Sequence, residues 1–212
     1  MSLLLPVEKS FPPPFTHQEL EGSSKEEYEK CFQFKYLFSL EFAKEAYLKK
    51  VQRLCQKADK KKQIPALQKW QGAYYHKEIL SPFAAPVCVS YIDEKIGYGV
   101  FAKQKLFKGA FIGEYLGLIR KYKPKIHAKN SYCFEYVIGG DLETSFTIDA
   151  QDQGNFTRFI NHHPDGNCDP IFVFHQGIMK MILITNRGIS KGEEITYDYG
   201  PDYWGQREAP IV

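Results

Sequence analysis

The sequence predicts an α+β fold that is mainly β, with a helical N-terminal segment leading into a domain of short strands. Two patterns predict it. Leu40, Ala43, Tyr47, Val51, Leu54 and Ala58 recur at alternating steps of three and four, one face of a helix. From Val87 onward the chain turns into short β-rich runs separated by Gly, Asp and Asn, as in a mostly β domain. The bulk numbers agree: 212 residues suffice for one sizeable domain with a small appendage. With 43% hydrophobic and 25% charged residues, the chain is neither disordered nor fibrous.

Residues 1–23 read as an extended leader, because Pro12-Pro13-Pro14 favours polyproline geometry and no hydrophobic period is visible. Ser24-Lys25-Glu26-Glu27 has the form of a capping box and opens a helical N-terminal segment over residues 24–80. Phe32, Phe34, Tyr36, Phe38, Leu40 and Phe42 also alternate at period two, as a strand would. The cap and the downstream face together favour helix there. Lys60-Lys61-Lys62-Gln63-Ile64-Pro65 breaks that helix, and a shorter one is expected from Ala66 to about Tyr75. Pro82 and Pro86 punctuate the entry to the β-rich domain, residues 81–205, and residues 206–212 form a tail. Strands are expected at Val87–Ile92, Tyr98–Phe101, Phe111–Ile119, Tyr132–Ile138, Phe146–Asp149, Ile171–Phe174 and Met179–Asn186. No internal repeat appears at solenoid periods.

A net charge of +3 gives no case for a chain that coats nucleic acid. No stretch approaches the ~18 apolar residues of a membrane span, so neither nucleic-acid nor membrane binding is expected. Lys49, Lys50, Arg53, Lys57, Lys60, Lys61 and Lys62 crowd one stretch; they read as the solvated end of a helix, with a docking patch for an acidic partner as the alternative. Cys31, Cys55, Cys88, Cys133 and Cys168 are odd in number, scattered and never in a C-x-x-C pair. That argues for reduced thiols and against a disulfide framework or a thiolate metal site. Ser2-Leu3-Leu4-Leu5-Pro6 is too short for a signal segment; the expected location is cytoplasmic, or outside the cell by a route without a cleavable signal. The apolar residues around Phe32–Phe42 need cover, from the chain's own sheet, a partner or a homodimer through the N-terminal helices.

Four segments could carry chemistry. Ile96-Gly97-Tyr98-Gly99-Val100-Phe101 lets a backbone turn tightly and approach a ligand, but lacks the third glycine of a dinucleotide fingerprint. Gly113-Glu114-Tyr115-Leu116-Gly117 places a tyrosine inside a strand; alone, that is an ordinary buried tyrosine. Arg158-Phe159-Ile160-Asn161-His162-His163, followed by Cys168, could suggest a metal site. Adjacent strand histidines face opposite ways and a fourth ligand is missing, so no metal is expected. In Gly192-Glu193-Glu194-Ile195-Thr196-Tyr197-Asp198-Tyr199, two tyrosines two apart share a strand face, as a packing ladder or a lined channel.

In order, spacing and wording, these segments resemble the SET-domain protein lysine methyltransferases over about residues 87–204, and among them the small stand-alone SET proteins of chlamydiae, including a secreted one that acts on histones. The resemblance implies a C-terminal pseudo-knot, an exception to the rule against threaded chains. It also implies S-adenosylmethionine as cofactor and lysine N-methylation of a protein substrate, histone or histone-like, as activity, with export to a host cell and its nucleus. Carried over residue by residue, Gly97, Tyr98 and Gly99 hold the cofactor's amino-acid end. Asn161 and His162 bind the cofactor within the knot, Tyr132 lies near its carboxylate, and Arg158 braces the knot beside it. Tyr199 is the catalytic tyrosine, Tyr115 the channel tyrosine, and Tyr197 the switch position whose phenol implies monomethylation. The chain departs from the family pattern at His163 and the Pro164-Asp165-Gly166 turn. It also lacks a cysteine after Tyr199, hence the zinc-binding cap of many members. Tyr203 and Trp204 are the rings left to close the channel, with Trp204 beside the cofactor. Glu135, Asp141, Glu143 and Asp152 suit a groove for basic peptides. A catalytically weak SET-fold module that only binds basic peptides is the alternative reading.

Overall fold

A computed structural model describes residues 20–21, 25–81, 85–128, 130–139 and 142–204. The leader before Leu20, the Ser24 cap, Pro82, Asp141 and the tail over residues 206–212 lie outside the described residues.

The N-terminal segment comprises β1 (Leu20–Glu21), α1 (Lys25–Phe32), β2 (Lys35–Tyr36), β3 (Glu41–Phe42), α2 (Glu45–Lys60), α3 (Ala66–Tyr74) and α4 (His76–Leu80). Helix α2 forms because Val51, Cys55 and Ala58 make one buried stripe. It stops where Lys62 takes a φ of 56° and Gln63 N–H bonds the Ala58 carbonyl. Lys49, Lys50, Arg53, Lys57, Lys60, Lys61 and Lys62 are all exposed. The helix expected through residues 33–44 is not formed. Gln33, at φ 51°, ends α1, and the sheets then claim the backbone. β2 pairs in parallel with Gln153–Gly154, and β3 with Leu118–Ile119. Leu37 N–H bonds the Gly154 carbonyl, and Ala43 N–H that of Ile119. Unpaired strand edges outcompete local helix propensity here.

The rest supplies β4 (Val87–Asp93), β5 (Gly97–Ala102), β6 (Phe111–Glu114), β7 (Leu118–Lys121), α5 (Pro124–His127), β8 (Cys133–Glu135), β9 (Phe146–Asp149) and β10 (Gln153–Gly154). A 3-10 turn (Phe156–Phe159), β11 (Asn161–His162), β12 (Cys168–His175), β13 (Ile178–Thr185), β14 (Glu194–Tyr197) and α6 (Pro201–Trp204) follow. They build sheets ordered β1-β4-β5-β14-β11, β12-β13-β6, β3-β7-β9-β8 and β10-β2. The single strand expected over Phe111–Ile119 divides into β6 and β7, because Tyr115 leaves one sheet before Leu118 joins another. The run expected at Tyr132–Ile138 shortens to β8.

The sheets share a core of Ile112, Ile119, Phe146, Ile148, Phe156, Ile160, Met181 and Leu183, and Val51 and Cys55 of α2 join it. Phe32 lies 4.4 Å from the Phe159 ring and 4.8 Å from Tyr98, centroid to centroid, while Phe34 and Tyr36 are buried beside them. The apolar residues that needed cover are therefore covered largely within the chain, and by the turn that leads into Asn161. Among the described residues no helix is long and apolar enough to cross a membrane.

Candidate active site

Strand β14 organises the site. It pairs antiparallel with β5 through Ile195 and Val100 and in parallel with β11, Asn161 facing Thr196 and His162 facing Tyr197. The segment after β11 then folds back over β14. His163 N–H bonds the Tyr197 carbonyl, and Asn167 N–H bonds the Thr196 carbonyl. The Asn167 side chain accepts from Thr196 N–H at 3.0 Å and donates to the Glu194 carbonyl at 2.7 Å. At Gly166 a Cβ would lie 2.5 Å from Tyr197 Cα, so only glycine permits this crossing. The arrangement is the expected pseudo-knot.

Asn161 ties the knot to the first glycine segment. Its amide donates to the Tyr98 carbonyl at 3.0 Å and to Glu194 Oε1 at 2.8 Å. Gly97 turns the chain at φ 83°, and a Cβ on Gly99 would stand 2.6 Å from Glu194 Oε1. His162 Nδ1 accepts from Tyr199 N–H at 3.1 Å, which leaves the ring proton on Nε2. Trp204 meets the His162 ring at 4.8 Å and stacks with Tyr199 at 6.2 Å.

Beyond β14 the tyrosines converge around Tyr199. Tyr199 lies 4.7 Å from both Tyr197 and Tyr203, and Phe134 sits 5.9 Å from Tyr197. These four rings, with His127, Asn130, Cys133, Glu135 and Thr147, line a cavity of about 340 Å³. The Tyr199 hydroxyl donates to the Ile160 carbonyl at 2.7 Å. Tyr115, buried behind Phe134, donates to the Tyr132 carbonyl at 3.0 Å. The Tyr197 hydroxyl has no hydrogen-bond partner among the described residues. Burial, with neighbouring tyrosines adding to it, pushes the phenols of Tyr197 and Tyr199 well above the ordinary tyrosine range; burial also raises that of Tyr115, against the charge of Arg158. All three remain neutral at physiological pH.

The Arg158 guanidinium lies 4.1 Å over the Tyr132 ring and 4.7 Å over Phe34, a cation held on aromatic faces. Its Nε is buried without a hydrogen-bond partner among the described residues. The histidine–cysteine grouping does not converge on one point. His163 Nδ1 accepts from Asp165 N–H, and the Cys168 thiol is buried against the Thr196 carbonyl. Burial pushes that thiol up to about 12, with Asp169 adding to it. Among the described residues no group of three or more His, Cys, Asp or Glu could hold a metal ion. A larger surface hollow of about 700 Å³, bordered by Lys49, Arg53, Asp59 and Phe174, includes none of the site residues.

Residues 97–200 match the SET domain family. This stretch of the chain has the SET-domain fold. It is similar to the histone-lysine N-methyltransferase EHMT1 of Mus musculus, 35% identical over 119 residues that make up 54% of this chain and 9% of that protein. It is likewise similar to SUV39H1-A of Danio rerio, 32% identical over 124 residues, 53% of this chain and 29% of that protein. The chain thus spans under a third of the length of these relatives. Of solved structures, ctPRC2 in an autoinhibited conformation bound to S-adenosylmethionine aligns with a TM-score of 0.49 at 24% identity, over 64% of this chain and 18% of that one.

Within this domain the structure joins Asn161 to the glycine segment and Tyr197 to Tyr199, and it sets Trp204 against the rings of both His162 and Tyr199. Tyr115 and Tyr132 stand behind the cavity wall rather than lining it. Sequence reasoning missed Phe134, Glu194 as the Asn161 partner, and Asp149. Glu194 sits inside a quoted motif, and its charge two residues from a β-turn was the available signal. Asp149 closes the predicted strand Phe146–Asp149, where a carboxylate ending an otherwise uncharged strand was the only hint.

Proposed function

We propose that the chain is an S-adenosylmethionine-dependent protein lysine N-methyltransferase acting on histones or histone-like basic proteins, with one methyl added as the main product. One observation carries the reading: a tyrosine-lined cavity and the Asn161-His162 knot meet at Tyr199. The SET-domain match and the histone-lysine methyltransferases among its relatives support it.

The residues present fit such a cofactor on one direct test. Arg158 offers a buried donor without a partner among the described residues, beside Tyr132, and a carboxylate would satisfy it. Gly97, Tyr98 and Gly99 would cradle the amino-acid end with backbone groups, and Asn161, His162 and Trp204 would hold the remainder. When bound, S-adenosylmethionine supplies a methyl group on a sulfonium, open to attack by a neutral amine.

An unperturbed lysine has a pKa of ~10.4, so deprotonation near pH ~7.4 costs about 4 kcal/mol. A ring-lined cavity strips water from the ammonium and lowers that cost. The Tyr199 hydroxyl proton is committed to the Ile160 carbonyl, so its oxygen faces the amine as an acceptor and orients it. Because burial keeps the phenols protonated, none of the three tyrosines serves as a base. The lysine proton leaves to solvent through the cavity mouth. The Tyr197 hydroxyl, without a hydrogen-bond partner among the described residues, can hold the amine or a water where a second methyl would sit, which supports monomethylation.

A labelled-methyl assay on histones and basic bacterial proteins, with site mapping, tests the reading. Label should enter a lysine and fall by about 100-fold or more in Tyr199→Phe, the scale set by a misplaced reacting group. A chain that binds basic peptides yet transfers no label is instead a binding module.

A further inference from the structure

We propose that Asp149 is a positioning residue that fixes the wall of the substrate cavity, an inference that rests on the methyltransferase reading. Strand β8 forms that wall, with Cys133 and Phe134 lining the cavity beside Asn130. It is three residues long and lies at the edge of its sheet. So short an edge strand has little of its own to fix its position. The anchor lies across the sheet. Asp149, opposite Cys133 on β9, carries a side chain 2% exposed that collects four donors. Arg120 Nε donates to Oδ2 at 2.8 Å and Arg120 Nη2 donates to the same oxygen. Asn130 Nδ2 and Gln151 N–H donate to Oδ1 at 2.8 and 3.0 Å.

Asn130 relays the anchor. Its Oδ1 accepts from Tyr132 N–H at 2.9 Å, and the Tyr132 carbonyl accepts in turn from Ala150 N–H and from the Tyr115 hydroxyl, each at 3.0 Å. One buried carboxylate therefore sets the start of β8, the ring that carries Arg158, and the hydroxyl of Tyr115. It touches neither the cavity nor the Asn161 knot. A buried carboxylate with charge-assisted partners holds such a geometry tightly, and losing the charge frees it.

The test is Asp149→Asn in the full chain, read first by hydrogen exchange, which needs no turnover. The Tyr132 and Ala150 amides should exchange about tenfold faster or more, the scale of losing a charge-assisted hydrogen bond. Amides of β12 and β13 should keep their rates. KM for a basic peptide should rise about tenfold. Arg120→Gln, at a side chain one-third exposed, leaves the carboxylate in place and should show the same local pattern more weakly; it decides the matter if Asp149→Asn does not fold. Unchanged exchange at residues 130–135, or a uniform loss across all strands, overturns the proposal. Absence of methyl transfer by the unaltered chain would sink the enzymatic reading alone, and the exchange pattern would still decide this one.

Discussion

Replacing Asn161 by aspartate tests the knot with almost no change in shape. The Asn161 amide donates to the Tyr98 carbonyl and to the Glu194 carboxylate; a carboxylate at that position can do neither when ionised. A neutral hydrogen bond contributes about 1 kcal/mol and one to a charged group roughly 1.5–3, so the loss is about 3 kcal/mol before any repulsion. In a chain of this size each kcal/mol moves the melting temperature by roughly 2–4 °C, which gives a fall of about 6–12 °C. The pH dependence is the sharper part. Beside Glu194 the introduced carboxylate has its folded pKa raised, so the folded state binds the extra proton more readily than the unfolded one. The deficit of Asn161→Asp against the unaltered chain should then be larger near pH ~8 and shrink toward pH ~5, where a protonated carboxyl can donate again. Thermal melts of both chains at the two pH values make the measurement. A deficit under about 1 kcal/mol, or one that is the same at both pH values, would show that the amide is not the tie between knot and glycine segment.

Tyr197→Phe removes a hydroxyl from the cavity lining and should shift products toward di- and trimethyl-lysine by mass spectrometry; mostly trimethyl product from the unaltered chain would defeat the assignment. A second expectation concerns acid stability. His175 is buried, with Nε2 at 2.9 Å from His76 Nδ1. Burial first, then Lys180 and His76, hold its pKa below the ordinary value. With the folded pKa depressed, the unfolded state binds the proton more readily, so this contribution is intact above about pH 6.5 and is lost as pH falls through the histidine range. His127 acts in the same sense, through burial and then Arg120. The melting temperature should fall more steeply between pH ~7.5 and ~5.5 in the unaltered chain than in His175→Asn, and equal slopes would remove His175 from the account.

Much of this architecture is legible in the sequence where one physical signal dominates. Val51 and Ala58 at helical spacing, with Pro65 beyond them, locate α2 and the start of α3. Phe146–Asp149 is a strand in both sequence and structure. The stretch from Phe32 to Phe42 shows where local reading fails: two periods fit the same residues, and the choice belongs to distant strand edges at Gly154 and Ile119. Tyr115 failed for a related reason. Nothing around it marks the point where one apolar run passes between two sheets. In the site, motif wording locates Asn161 and Tyr199. The hydrogen bond that commits the Tyr199 proton depends on Ile160, 39 positions away, and only the fold brings that carbonyl into range.

The knot also imposes an order of events on the growing chain. Strand β14 lies between β5 and the segment over residues 161–168, so neither Tyr197 nor Tyr199 reaches its place until residues far downstream of Asn161 exist. Until then Asn161 lacks Glu194, Asn167 lacks Thr196, and Val100 lacks its neighbour on one side. Such long-range closure is slow and leaves apolar strand edges open meanwhile. A nascent chain released or cleaved before residue 194 can hold helices and hairpins, but it lacks Tyr197 and Tyr199 and with them one wall of the cavity. In this topology the site is complete only after β14 has been made.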